Sequence, residues 1–282
     1  MKIRFLGTAA AEGMPGPFCD CENCRKARVN GGKDVRTRSQ ALVDDELLID
    51  FPADNLAHMY RFGLNYLTVR DVIITHVHED HYYPADFMNL QPGFSPVDPS
   101  VGPFRVWGSP DVRETGEKEL NALGASFARL EGRLEIREMQ PFTTYDIAGH
   151  KVTPLKATHG TAHPYIYVIQ KGEEALMYAH DTGFFCQENW AWLKASGIRL
   201  GLVSMDCTDG DKEEMGYDAH MCTGRNRVLK RQLTEAGVAD EKTVFVVNHF
   251  SHNGVHVVYD EMVEAVKDDG FLVSYDGREV DF

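Results

Sequence analysis

Thr75-His76-Val77-His78-Glu79-Asp80-His81 follows a short β-branched run, Val72–Thr75, that reads as a buried strand stopping at His76. Three histidines and an aspartate thus fall within six residues at a strand end. Neutral imidazoles and a carboxylate are suitable ligands for zinc, manganese or iron. Alternation along an extended segment puts His76 and His78 on one side of the chain. If the chain then turns into a helix, Asp80 and His81 swing to a second position a few ångströms away, and Glu79 points elsewhere. The competing reading is a histidine-rich surface loop. It is disfavoured because unpaired polar groups rarely cluster at a buried strand end.

Two metals need more ligands than these four. Working outward, further candidates recur where loops leave apolar runs. His159 follows Val152–Leu155, Asp181 follows Ala175–Tyr178, and His249 follows Val244–Val247. Each alone is weak, but the ends of strands are where binding residues collect. An aspartate among them could bridge two ions at a separation of about 3.5–4 Å. Other strand candidates are Lys2–Leu6, Ala41–Val43 paired as a hairpin with Leu47–Asp50, Tyr165–Ile169 and Leu200–Ser204. Helices are expected near Ala53–Phe62, Asp111–Leu123, Glu188–Ala195, Met221–Ala236 and Val257–Lys267. Strands come first, helices fall between them, and the pattern repeats, which suits an α/β two-sheet sandwich with helices outside.

A second cluster, Cys19-Asp20-Cys21-Glu22-Asn23-Cys24, places three thiols within six residues. In a chain expected to stay reduced, they suit a tetrahedral structural zinc with one further ligand. His252, His220 and Cys222 compete for that place.

The order His76-x-His78-x-Asp80-His81, His159, Asp181, His249 resembles the metallo-β-lactamase superfamily along nearly the whole chain. The resemblance implies one αββα domain over residues 1–282: two mixed β-sheets flanked by helices, with the metals at one edge. It implies that His76, His78 and His159 hold one metal, that Asp80, His81 and His249 hold the other, and that Asp181 bridges. A Cys-x-Cys-x-x-Cys after the first Gly-Thr turn and a late His-x-x-His make the chain similar to the phosphoribosyl cyclic phosphate phosphodiesterases of phosphonate degradation. In that group a structural zinc takes the three cysteines and the second late histidine, here Cys19, Cys21, Cys24 and His252. A further histidine ahead of a long helix, here His220, lies near the scissile phosphate there. Met205-Asp206-Cys207 also matches a segment of that group, and Asp206 could orient a ligand histidine. A coenzyme-biosynthesis branch shares a similar cysteine cluster.

The expected function is therefore that of a dinuclear hydrolase that cleaves a small phosphodiester, ribose- or nucleotide-like and in one form cyclic, through a metal-bridging hydroxide. Asp80 is a ligand that could also hydrogen-bond the nucleophile, and His220 could protonate the leaving oxygen or steady the phosphate. Two alternatives share the fold: a thioester or lactone hydrolase, and a non-hydrolytic di-iron redox or metal-binding protein. The active-site metals could be zinc, manganese or iron.

With 29 basic and 43 acidic residues the chain carries a net charge of −14. Such a chain repels long nucleic acid and anionic membrane unless a local basic patch intervenes. One basic stretch exists: Arg25, Lys26, Arg28, Lys33, Arg36 and Arg38 stand against Asp34 alone. Arg36 and Arg38 could reach a substrate phosphate, or the stretch is a solvated face. The N-terminus is too short and too charged for a signal-peptide core, so the cytoplasm is the expected compartment. A homodimer is allowed by the resemblance. Two loops could border the pocket: the proline-rich 91–103 segment and the acidic 209–219 segment.

Overall fold

The computed structural model describes residues 1–282. Its strands are β1 (Lys2–Gly7), β2 (Gln40–Val43), β3 (Leu47–Ile49), β4 (Asp71–Ile73), β5 (Phe104–Gly108), β6 (Leu134–Glu138), β7 (Tyr145–Ile147), β8 (His150–Lys156), β9 (Tyr165–Lys171), β10 (Glu174–Ala179), β11 (Leu202–Asp206), β12 (Val244–Asn248), β13 (Phe271–Val273) and β14 (Glu279–Asp281). Its α-helices are α1 (Glu22–Asn30), α2 (Asn55–Phe62), α3 (Pro110–Ala122), α4 (Gln187–Ser196), α5 (Thr223–Glu235) and α6 (Tyr259–Ala265).

The strands form two seven-stranded sheets, ordered β14-β1-β2-β3-β4-β5-β6 and β13-β12-β11-β10-β9-β8-β7. In each, an antiparallel part passes into a parallel one. β1, β2 and β3 run antiparallel, while β4 to β6 add in parallel. β8, β9 and β10 repeat the antiparallel part, and β11 to β13 the parallel part. This is the repeated strand-and-helix pattern expected from the sequence.

Alternation along the strands sorts the apolar residues into three layers. Ile3, Phe5, Ile49 and Ile73 of one sheet meet Val152, Tyr167, Ile169, Tyr178 and Val246 of the other between the sheets. Leu48, Val72 and Val106 face outward, in one cluster with Val112 and Leu120 of α3. Val203, Met205, Phe245 and Val247 do the same with Leu193 of α4, Leu229 of α5 and Met262 of α6. The sheets are also stitched by polar bonds where β4 ends: Tyr167 Oη donates to the Ile74 carbonyl at 2.6 Å, and the Tyr165 amide donates to the Thr75 carbonyl at 2.8 Å. A buried phenol is satisfied, and the segment entering the histidine cluster is clamped.

Several elements differ from expectation. No helix follows His78. The chain makes a tight turn in which the His81 and Tyr82 amides donate to the His78 carbonyl at 2.9 and 2.8 Å, and a 3-10 helix begins only at Pro84. The cysteine cluster opens α1, a helix without an apolar stripe to announce it, since only Cys24 and Ala27 of it are buried. The proline-rich segment contains one short 3-10 turn, Pro99–Val101. It is tied by Arg133 to the Leu90 and Ser95 carbonyls, away from the histidines. No helix is long and apolar enough to cross a membrane.

Candidate metal centre

Each element of the centre leaves a strand. β3 delivers Asp50, β4 leads to His76, β8 to His159, β10 to Asp181, β11 to Asp206 and β12 to His249. At three of these exits a non-glycine residue is left-handed: Asp50 (φ 67), Asp181 (φ 48) and His249 (φ 61). Each costs on the order of 1–3 kcal/mol that surrounding structure must offset, and such strain concentrates where side-chain aim matters.

The geometry assembles two donor sets. In the first, His78 Nδ1 lies 2.9 Å from His76 Nε2 and 3.1 Å from His159 Nε2. In the second, His81 Nε2 lies 3.2 Å from Asp80 Oδ2, 3.2 Å from His249 Nε2 and 2.7 Å from Asp181 Oδ2. That same Asp181 oxygen is 3.3 Å from His76 Nε2 and 4.0 Å from His159 Nε2, so it faces both sets. The sites expected from the sequence are thus brought together, with Asp181 at the shared edge.

The partners of the other ring nitrogens suit the tautomer in which these atoms carry lone pairs. His81 Nδ1 donates to Asp50 Oδ2 at 2.7 Å, His159 Nδ1 to the Ala219 carbonyl at 3.1 Å, and His249 Nδ1 to Thr208 Oγ1 at 2.9 Å. With the outer nitrogen protonated, each Nε2 turns a lone pair inward. Several inward lone pairs and two carboxylates at these separations repel one another unless divalent cations lie between them, so the donor set fits a dinuclear centre. Burial opposes charge on Asp181 and Asp80, but the positive charge that His81 and His249 carry when protonated outweighs it and holds both carboxyls well below the usual range. Bound cations would take over that role.

Asp50 was not singled out from the sequence. It is fully buried, and its other oxygen accepts the Thr75 amide at 2.8 Å and the Thr75 hydroxyl at 2.9 Å, so it fixes both the strand exit and the His81 ring. Asp50→Ala is expected to weaken binding of the second ion by about 10–100-fold, the usual cost of losing such an orienting partner. Competition with a chromogenic chelator measures this, and unchanged affinity would remove Asp50 from the centre.

Behind Asp181, Asp206 Oδ2 accepts the Asp181 amide at 3.0 Å and lies 3.2 Å from His220 Nδ1 and 3.5 Å from His249 Nδ1. Asp206 therefore orients neighbours, as the sequence suggested. His220 Nδ1 also reaches Asp181 Oδ1 at 3.1 Å. Burial disfavours charge on His220, but the pull of Asp206 and Asp181 overrides it and pushes its pKa up to about 11. Gly183 allows this crowding: a Cβ there would fall 2.2 Å from Asp218 Oδ1, where the 217–220 segment crosses. The pocket, about 180 Å³, is lined by Ala10, Ala11, Glu12, Thr208, His220 and Ser251 together with donor residues. Neither the 91–103 nor the 209–219 segment lines it.

The second expected cluster also closes. His252 Nδ1 lies 3.5 Å from Cys19 Sγ and 3.7 Å from Cys21 Sγ, and Cys24 completes the group. His220 and Cys222, the competitors for the fourth place, lie outside it. Three thiols and one imidazole in this arrangement fit tetrahedral zinc. Burial opposes the Cys21 thiolate, yet donors from Cys24, Cys19 and His252 bring its pKa down to about 7.

Arg36 and Arg38, expected to reach a substrate phosphate, are not among the residues that line the pocket and are bonded to protein groups instead. Arg36 is buried, donates through Nη1 to Thr8 Oγ1 (3.0 Å) and the Ser274 carbonyl (2.8 Å), and lies 4.4 Å over the Phe250 ring. Burial lowers its pKa to about 10. Arg38 donates to the Ala11 carbonyl at 2.9 Å and pairs with Asp54 at 3.4 Å. Arg38 thereby braces Ala11, a residue of the pocket wall. The rest of the basic stretch is largely self-paired: Arg25 with Asp20, and Lys26 with Glu22 and Glu261.

Comparison with known proteins agrees with this geometry. The coenzyme PQQ synthesis protein B of Stutzerimonas stutzeri is 24% identical over 260 residues, 79% of this chain and 81% of that protein. The crystal structure of a new diphosphatase from the PhnP family superposes with a TM-score of 0.69 at 20% identity, covering 100% of this chain and 97% of that one. Zinc-bound PqqB from Methylobacterium extorquens gives 0.72 at 18% identity with both chains fully covered. Human tRNase Z, short form, gives 0.67 at 14% identity, covering 100% and 99%. Residues 55–268 match the profile of the beta-lactamase superfamily domain. The fold is shared end to end with these structures, and the family match runs from α2 past α6: this chain belongs to the β-lactamase superfamily and has the metallo-β-lactamase fold.

Proposed function

We propose that the chain is a dinuclear metal-dependent phosphodiesterase for small substrates. The observation that carries this reading is the placement of one carboxylate oxygen of Asp181 against both donor sets, with His220 braced beside it at the pocket wall. His76, His78 and His159 would hold one divalent ion, Asp80, His81 and His249 the other, and Asp181 both. Zinc, manganese and iron all suit these ligands. When bound, the ions supply Lewis-acid polarisation of the phosphoryl oxygens and acidify water to near neutral pH. Cys19, Cys21, Cys24 and His252 would hold a structural zinc.

The chain's own residues do the remainder. Asp80 lies where it can accept a hydrogen bond from the attacking water as well as ligate. Asp206 and Asp181 engage Nδ1 of His220, which leaves Nε2 as the atom that can give a proton to the departing oxygen. The small pocket argues for a small phosphodiester, and together with the net charge of −14 it argues against a long polynucleotide. A diphosphatase among the proteins of this fold makes hydrolysis at phosphorus the first chemistry to assay.

The test is a panel. Metal-loaded protein is expected to hydrolyse bis-p-nitrophenyl phosphate and ribose cyclic phosphates, and to leave thioesters and lactones intact. The reverse selectivity would replace this reading by the alternative hydrolase. Oxygen consumption with iron bound and no hydrolysis would replace it by a redox role. His220→Ala should slow alkyl-leaving-group diesters by about 10²–10⁴-fold, the usual worth of a general acid. The same variant should lose under tenfold on p-nitrophenyl esters, whose leaving group needs no proton. Equal losses on both would assign His220 to phosphate positioning instead.

A further inference from the structure

Thr208 lines the pocket and is buried in the loop that leaves β11. Its backbone is held without help from its side chain: the amide donates to Asp206 Oδ1 at 3.0 Å, and the carbonyl accepts the Ser251 amide at 3.2 Å. The hydroxyl meets three groups. Its oxygen lies 2.9 Å from His249 Nδ1, 3.2 Å from His220 Nδ1 and 3.1 Å from Asp206 Oδ2. Both Nδ1 atoms also face carboxylate oxygens of Asp181 and Asp206, so each carries its ring's hydrogen there. A hydroxyl has one hydrogen and two acceptor directions. This one accepts from both imidazoles and gives its hydrogen to the charged carboxylate of Asp206 in preference to the His249 carbonyl at 3.1 Å.

One hydroxyl therefore holds both a donor for the second ion, His249, and His220 beside it. The two ring planes lie within 16° of each other, with centroids 6.2 Å apart. Turning either ring about its Cβ–Cγ bond carries Nδ1 off the shared oxygen and swings Nε2 off its target. The carboxylates alone hold His249 less closely: Asp181 Oδ1 and Asp206 Oδ2 stand 3.4 and 3.5 Å from its Nδ1, against 2.9 Å for the hydroxyl. Resting on the reading of His220 as the proton donor of a phosphodiesterase, we infer that Thr208 is a positioning residue that aligns His249 and His220 as one unit. It thereby ties affinity for the second ion to protonation of the leaving group.

The experiment compares Thr208→Val, which keeps the shape and removes the hydroxyl, with Thr208→Ser, which keeps the hydroxyl. A thermal melt checks that each variant is folded. Chelator competition should show the second ion bound about tenfold more weakly by the valine variant. At saturating metal, that variant should lose about tenfold more kcat on alkyl-leaving-group diesters than on p-nitrophenyl ones. Calorimetry should show it binding inorganic phosphate several-fold more weakly. The serine variant should stay close to wild type in all three measurements. In a His220→Ala background the valine change should cost no further phosphate affinity, because residues that act through one another are not additive. Valine and serine variants that behave alike, a loss of metal affinity alone, or a phosphate loss that persists in full without His220 would each overturn the inference. If wild type cleaves no diester, the phosphodiesterase reading fails, and the metal and phosphate measurements still decide the role of Thr208.

Discussion

Asp181→Ala is expected to cut bis-p-nitrophenyl phosphate turnover by on the order of 10³-fold or more and to lower bound metal from about three ions per chain to about one. Asp181 is the only residue whose carboxylate oxygen approaches members of both donor sets, at 2.7 Å from His81 and 3.3 Å from His76. Its loss leaves each set three neutral or singly charged ligands and removes the group that fixes their separation. Two-metal catalysis contributes several kcal/mol of transition-state stabilisation, and each ~1.4 kcal/mol is a factor of ten. Asp181→Asn keeps the shape and the left-handed φ of 48° without the charge, so it should behave like the alanine variant if the bridge matters and like wild type if only packing does. Mass-spectrometric metal counts decide the matter, with a thermal melt to show that the fold survives. Three retained metals with normal turnover would remove Asp181 from the centre.

What the sequence disclosed depended on whether chemistry or packing left a local trace. The histidine block sits on an apolar run and needs no tertiary information to be read. His159, Asp181 and His249 were legible because each follows a strand of β-branched and apolar residues that must be buried. α1 left no such trace: Glu22-Asn23-Cys24-Arg25-Lys26-Ala27-Arg28-Val29-Asn30 buries only two residues, so it has no apolar stripe to count. β6, Leu134-Glu135-Ile136-Arg137-Glu138, alternates correctly, but its charged positions masked a strand that lies at a sheet edge.

Arg36 and Arg38 show the limit of counting charges. A basic stretch looks the same whether its guanidinium groups meet phosphate or hold carbonyl groups, and only the tertiary position of Thr8, Ser274 and Ala11 distinguishes the two. Asp50 fails to stand out for the opposite reason. It ends an ordinary hairpin strand, and its role arises from a residue 31 positions away. Long-range partners of this kind leave no periodicity behind.

Cys24→Ser should lower Tm by about 10 °C and leave about two metals per chain in place of three, because loss of a structural metal belongs among the few single changes worth about 4 kcal/mol or more. Cys24 is buried in the first turn of α1, and its sulfur accepts the Gly16 amide at 3.2 Å. The knuckle binds this N-terminal loop to the 249–254 loop beside Asn23, whose Nδ2 donates to the His252 and Gly254 carbonyls at 3.0 and 2.8 Å. Without zinc the thiols repel as they ionise, and the Cys21 thiol, with a pKa near 7, is the first to do so. His249 lies three residues before His252, so loosening this loop should also raise the dissociation constant of the second catalytic ion several-fold. That coupling separates a structural zinc from a passive thiol cluster. If the folded wild type reacts with a thiol reagent at Cys19, Cys21 and Cys24 and holds only two metals, the knuckle carries no zinc and Cys24→Ser should melt like wild type.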